Sequence, residues 1–305
     1  MQSMLCLLGQ HSVYREASNL FQRFLNLDIS GKQIQRVCNY YGHEIDPIVK
    51  ANQIEYIPKL KQGKDNEDVY VMVDGSMVMT REDKWKENKL GRIFKQSQII
   101  DIQRNRNEIM ESIYVSHLGS VNEFCPKMER HLSLVKGNKV FIADGARWIW
   151  KWVEDNYPGS VQILDYFHVL EKLENLAKMQ FKDEIPKQIW LKAQKDLLLN
   201  DKVYEVTKNI KSLRSKNTEV KNEKSKVIRY FIENEDRMEY GTYRKKGLLI
   251  GSGPIEAAHR HVIQNRLILS GQRWSIDGAQ AVSNLRCYNK SGAWDLVDSL
   301  IKLAA

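Results

Sequence analysis

Three acidic residues occupy positions where a carboxylate can do chemistry. In Val71-Met-Val-Asp74-Gly75 and Phe141-Ile-Ala-Asp144-Gly145 an apolar run, read as a strand, delivers an aspartate followed by glycine. A carboxylate at the edge of a strand, with no side chain after it, is open to a metal ion and a phosphate. The third acid is Glu256 in Gly251-Ser-Gly-Pro-Ile-Glu256, where Pro254 suits the first helical position and places the acid in the first turn. Each acid has a structural alternative. An Asp-Gly pair also turns a hairpin, and Ser76 to Thr80 reads as a return strand after Asp74. That alternative is weaker at Asp144, because Ala146 to Val153 reads as a helix. A glutamate in a first turn also complements the helix dipole. Around Glu256, His259 and Arg260 follow at helical spacing, so a carboxylate, an imidazole and a guanidinium are expected on one patch.

Other residues extend this set. In Asp165-Tyr-Phe-His168 a strand ends and a helix begins, so Asp165 reads as an N-cap that also offers, with His168, a hydrogen-bonded pair at the end of the strand. Trp148 and Trp152 are one turn apart and expected in the core, with Trp150 pointing elsewhere. Trp274, beside Arg273, is read either as buried or as a platform for an unpaired base. From Lys208 to Arg229 there are eight Lys or Arg and two Glu, which gives either a surface able to meet phosphates or an ordinary solvated helix face.

The elements that must position these residues follow from periodicity. Five strands are expected: Val69 to Thr80, Gly91 to Asp101, Ser112 to Gly119, Lys139 to Ala143 and Val161 to Leu164. Helical patterns at Val121 to Leu134 and Ala146 to Asn156 turn an antiparallel meander into a sheet with crossover helices. Ser12 to Gly42 reads as two helices with a break at Asp28-Ile-Ser-Gly and a fresh helix over Lys32 to Tyr41. The pair is either a helix-turn-helix or a helical hairpin packed on the main domain. The expected organisation is a helical N-terminal region (1–66), the first part of an α/β (α+β) core with a mixed five-stranded sheet (67–168), an all-helical insertion (169–247) and C-terminal helices of the core (248–305).

Bulk properties narrow the class. The 305 residues carry 47 Lys and Arg against 38 Asp and Glu, a net charge of +9 that favours a polyanionic partner. No run of 18 apolar residues and no secretion signal is present, so a cytoplasmic, nucleoid-associated protein is expected. Cys6, Cys38, Cys125 and Cys287 lack a Cys-x-x-Cys pair, which argues against a zinc module.

Taken together, the segments resemble the transposases of bacterial insertion sequences of the Kra type, relatives of the Mutator-like DDE enzymes. The motifs are Val-Asp74-Gly, Trp85-Lys-Glu-Asn-Lys-Leu-Gly-Arg-Ile-Phe94, Ala-Asp144-Gly-Ala-Arg-Trp-Ile-Trp150, Asp165-Tyr-Phe-His168, Gly251-Ser-Gly-Pro-Ile-Glu256 and Ser270-Gly-Gln-Arg-Trp274. They keep the family's order over roughly Glu16 to Asp295. The resemblance implies a ribonuclease H-like core, a DDE triad of Asp74, Asp144 and Glu256, and Asp165 and His168 as accessory catalytic residues. It also implies double-stranded DNA, both transposon ends and target, as partner, and a homodimer or higher oligomer holding two ends together. Arg260, Arg273, Trp274, Lys86 and Lys89 are the expected DNA contacts. Three carboxylates are hard oxygen ligands that suit Mg²⁺ or Mn²⁺. Two other readings stand beside this one: a nuclease or resolvase that cuts without joining, and an inactive protein that only binds DNA. A glycosidase built on paired carboxylates fits the basic charge and the motif order poorly.

Overall fold

The computed structural model describes residues 1–50, 60, 66–103 and 106–304, with the side chains of 47–50 and 106 excepted. Most of the stretch 51–65 of the expected N-terminal region therefore lies outside the described residues. The fold is mixed α/β, and its main sheet has five strands in the order β5-β2-β1-β6-β7. Strand β1 (Asp68–Met79) opens on Val69 to Val73, an apolar run buried on both faces. It pairs antiparallel with β2 (Trp85–Lys95), from Val69 opposite Lys95 to Met79 opposite Trp85.

This register corrects two expectations. There is no turn at Asp74-Gly75: Asp74 lies opposite Leu90 and Gly75 opposite Lys89, so the acid stands in mid-strand, not at a strand's edge. The chain reverses later, around Lys84, whose φ of 58° is left-handed. Strand β2 also starts at Trp85 instead of Gly91, and it ends before Ile99. Its first half looks too polar for a buried strand, but Asn88 receives a hydrogen bond from Ser116 and donates to Ser283, so its amide is satisfied inside. Residues 99–103 form β3 (Ile99–Gln103), which pairs with β4 (Arg106–Ile109) in a separate ribbon. Strand β5 (Ile113–Leu118) then pairs antiparallel with β2.

The chain divides into two compact units, Met1–Lys139 with Pro254–Ala305, and Val140–Gly253. In the first, α1 (Gln2–His11), α2 (Tyr14–Leu25) and α3 (Gly31–Lys50) pack with α13 (Ile276–Lys290) and α14 (Trp294–Leu303) around Phe21, Ile34, Cys38, Leu285 and Val297. Each such side chain contributes about 1.5–3 kcal/mol by leaving water. The α2–α3 pair is thus a hairpin packed on the main body. Helix α4 (Val121–Leu132) follows β5 in the same unit. Helix α11 (Gly253–Ala258) passes into a π-helical turn, His259–Gln264, and then α12 (Asn265–Leu267). A π turn leaves carbonyls out of the regular α ladder, and the buried Arg286 guanidinium of α13 donates to the carbonyls of His261 and Val262 and to that of Gln10 at the end of α1. The neighbouring buried cation, Arg266, donates twice to the carbonyl of Gly9.

In the second unit β6 (Asn138–Ala143, from Val140 on) and β7 (Val161–Leu164) pair in parallel across the crossover helix α5 (Arg147–Asn156). Then come α6 (Tyr166–Gln180), α7 (Glu184–Leu198), α8 (Val203–Ser212), α9 (Thr218–Glu233) and α10 (Tyr240–Lys245), with no strand among the described residues. The compact unit begins upstream of residue 169, because β6, α5 and β7 go with the helices. On α5 the tryptophan expectation is half corrected: Trp152 is buried but so is Trp150, while Trp148 is only partly covered. Trp150 turns inward because its indole N–H finds the carbonyl of Asp144 at 2.8 Å and its ring lies under the Arg237 guanidinium.

Candidate active site

Asp74 and Glu256 belong to the first unit; Asp144, Asp165 and His168 belong to the second. On β1, Asp74 is half-buried, and one carboxylate oxygen accepts the N–H of Gly75 at 2.7 Å. The other lies 3.6 Å from Nε2 of His259, three residues beyond Glu256. The imidazole is 3% exposed, and neither of its ring nitrogens makes a hydrogen bond among the described residues. Burial lowers the His259 pKa, and the Asp74 charge opposes that shift. Glu256 and Arg260 are exposed. The patch expected at Glu256 is therefore divided, with carboxylate and guanidinium outward and imidazole inward against Asp74.

The start of α11 is held by a residue that carried no expected role. Arg92 of β2 is buried; its Nε donates to Ser112 Oγ at 2.9 Å and its Nη1 to the carbonyl of Pro254 at 2.7 Å. Its guanidinium also lies over the rings of Phe94 and Tyr114. Arg92 thereby fixes the backbone two residues before Glu256. Only its place within the Trp85–Phe94 motif pointed to it.

In the second unit Asp144 follows directly on β6, and one of its carboxylate oxygens accepts the N–H of Ala146 at 3.0 Å. Gly145 is required by close approach: a Cβ there would stand 2.2 Å from Cε2 of Tyr230. The Tyr230 hydroxyl is buried without a hydrogen-bond partner among the described residues, and its pKa is raised by burial and by the charges of Asp144 and Asp165.

Asp165 is fully buried and caps α6, accepting from the N–H groups of Phe167 (2.6 Å) and His168 (3.3 Å). Its second oxygen accepts from the Ser252 N–H at 3.0 Å and from the Ser252 hydroxyl, and lies 3.1 Å from Nδ1 of His168. Burial pushes this carboxyl up, but the hydrogen bonds from His168 and Ser252 outweigh it and hold the pKa below its usual range. The pair expected from sequence is present, and Asp165 orients the imidazole. A carboxylate and an imidazole nitrogen so placed are groups able to hold a metal ion. Ser252 was not foreseen, since it comes from a distant segment.

Among the expected DNA contacts, Arg260 and Arg273 are exposed, and Arg273 lines a cleft of about 350 Å³ with Trp85. Lys86 is partly exposed and paired with Asp83 at 2.6 Å. The expectation for Lys89 is corrected, and of the two readings of Trp274 the buried one holds. Lys89 is buried, its ammonium held by Glu87 and the carbonyl of Gly119, each at 2.6 Å. Trp274 is enclosed: its N–H donates to the Leu267 carbonyl, and its ring meets Tyr14 edge-on and the Arg266 guanidinium at 4.7 Å. Among the described residues no helix is long and apolar enough to cross a membrane. No protein-family model matches the chain, and no curated protein matches it.

Proposed function

We propose that this chain is a DDE transposase with a ribonuclease H-like core, which cuts transposon-end DNA and joins the freed 3′ end to target DNA. The observation that carries this reading is the approach of Asp74 on β1 to His259, one turn beyond Glu256. Two of the three acids singled out by sequence thus belong to elements that meet within one unit. The order of the motifs along the chain and the net charge of +9 support it as well.

Asp74, Asp144 and Glu256 would hold Mg²⁺ or Mn²⁺; the donor set is all carboxylate oxygen, as those ions prefer. When bound, such ions supply an activated water and stabilise the leaving oxygen in phosphodiester hydrolysis. The surrounding residues do the rest. His259 stands against the inner oxygen of Asp74 and limits its rotation. Arg92 fixes the entry to the helix of Glu256. Asp165, saturated with donors, keeps the His168 ring in one orientation.

The test is a plasmid carrying the element's two ends, incubated with Mg²⁺ or Mn²⁺. Asp74→Ala, Asp144→Ala and Glu256→Ala are each expected to lower nicking at the ends by a factor of at least about 10³, with melting temperatures within a few degrees of the parent. Cleavage at the parental rate by any of the three removes that residue from the triad. Nicking without strand-transfer products reduces the function to that of a nuclease.

A further inference from the structure

The basic run singled out between Lys208 and Arg229 takes a definite shape in the second unit. Where α8 ends and α9 begins, the chain encloses a cleft of about 650 Å³ lined by Lys211, Arg214, Lys221 and Lys224 together with three serines, and by no Asp or Glu. Lys211, Arg214 and Lys221 are exposed, and none of them is ion-paired among the described residues. The two glutamates of the run lie elsewhere. Glu219 and Glu223 share one stripe of α9 at i, i+4 spacing, with Glu223 paired to Lys226 at 3.5 Å, whereas Lys221 and Lys224 share another.

Its walls are held in place by groups other than a ligand. Lys224 donates to the carbonyls of Lys211 and Leu213 at the end of α8. Gln180 of α6 donates to the carbonyl of Arg214 at 2.9 Å, and Asn217 caps α9 by accepting the Glu219 N–H. The cations are therefore displayed on a fixed concave surface.

From this we infer that the α8–α9 cleft binds the phosphodiester backbone of DNA without reading bases. Four cations without a carboxylate exceed what a single phosphate needs and match a polyanion with regularly spaced charges. The hydroxyls of Ser212 and Ser225 donate to backbone carbonyls, while that of Ser215 accepts the Asn217 N–H and so has its O–H to offer a phosphate oxygen. No aromatic ring lines the cleft, so nothing in it stacks on a base. The choice of DNA as the polyanion rests on the proposed function.

The experiment measures binding of a random-sequence duplex of about 30 base pairs by fluorescence anisotropy across a salt series, with nicking of the end-bearing plasmid assayed alongside. The variant is Lys211→Ala/Arg214→Ala/Lys221→Ala, which spares the structural Lys224. Its control is Lys151→Ala/Lys245→Ala/Lys246→Ala, three exposed lysines that do not line the cleft. For the cleft variant the slope of log affinity against log salt is expected to become shallower by about 2 to 3, with affinity about tenfold or more weaker, equally on random and transposon-end DNA. The control is expected to keep the parental slope. Equal losses in both variants, or a parental slope in the cleft variant, overturn the cleft. If the parent binds DNA through the cleft but never nicks, the transposase reading falls and the cleft stands. If the parent nicks while the cleft variant binds as the parent does, the reverse holds. A parent that binds no DNA overturns both.

Discussion

Arg92 is a cation buried with no ion pair among the described residues, and its charge is met by a hydroxyl, a carbonyl and two aromatic faces. A planar guanidinium can serve all four at once, and a lysine cannot. Arg92→Lys is therefore expected to cost about 2–3 kcal/mol of stability and to lower end cleavage about tenfold as the start of α11 loosens. Urea unfolding and a nicking time course check both; parental values in each remove Arg92 from the positioning of Glu256. The same scale shows what sequence could and could not reveal. Asp165 and His168 were legible as a pair because three residues at a helix start fix their geometry locally. Ser252, which donates twice to Asp165, carries no local signal, because its role exists only once distant segments meet. The acids were legible by type and neighbours and the burial of Trp274 was one of its two readings, but the burial of Lys89 was not legible.

Among the elements, the approach of α3 to α13 is closely constrained. A Cβ on Gly42 would lie 2.4 Å from the carbonyl oxygen of Ala281 and 2.8 Å from its Cα, and backbone atoms cannot rotate away. Asn284 of α13 also donates to the carbonyl of Gly42 at 2.8 Å. Gly42→Ala is expected to destabilise by about 3 kcal/mol by forcing the helices apart. Gly159→Ala, where nothing lies within 4 Å of the new methyl, is expected to stay within about 0.5 kcal/mol of the parent. Denaturant midpoints measure both, and a neutral Gly42→Ala would show that the helices separate without cost. Strands β1, β5, β6 and β7 were legible because β-branched and aromatic runs mark them. The first half of β2 and the whole of α13 were not. Both bury polar side chains, such as Asn88 and Gln280, that take hydrogen-bond partners from other elements, and α13 is covered on all sides from Gly278 to Tyr288, so it shows no amphipathic stripe.

For the molecule as a whole, buried histidines set an acid limit. Burial lowers the pKa of His131 to about 4, against an ordinary value of 6.5, and its Nδ1 lies 2.8 Å from the Lys127 carbonyl. His117 and His261 shift in the same direction, again chiefly through burial. Because the folded state holds these rings neutral, the unfolded chain binds protons first as pH falls below about 6.5. Stability is therefore fully present above that pH and declines on acidification towards the folded pKa, with His131 alone accounting for a loss on the order of 3 kcal/mol by pH 4. Unfolding free energies measured from pH 7 to pH 4.5 are expected to fall, and to fall less steeply in His131→Leu; an unchanged slope in that variant would clear His131 of the effect.

The π turn at His259–Gln264 has a consequence for how the two ends of its helix can vary. Such a turn uses one residue more than an α turn for about the same rotation, so it takes up a spare residue between Glu256 and Arg266, whose guanidinium must meet the end of α1, without turning one against the other. Deleting one residue there would restore the α repeat with little change of phase beyond it, whereas deleting one from the α stretch Gly253–Ala258 would swing the two ends against each other by about 100° and part Arg266 from its carbonyl or the acid from its place. The turn works as slack: a change of one residue is absorbed there, so the helix stays in step with the sheet upstream and with the N-terminal helices downstream.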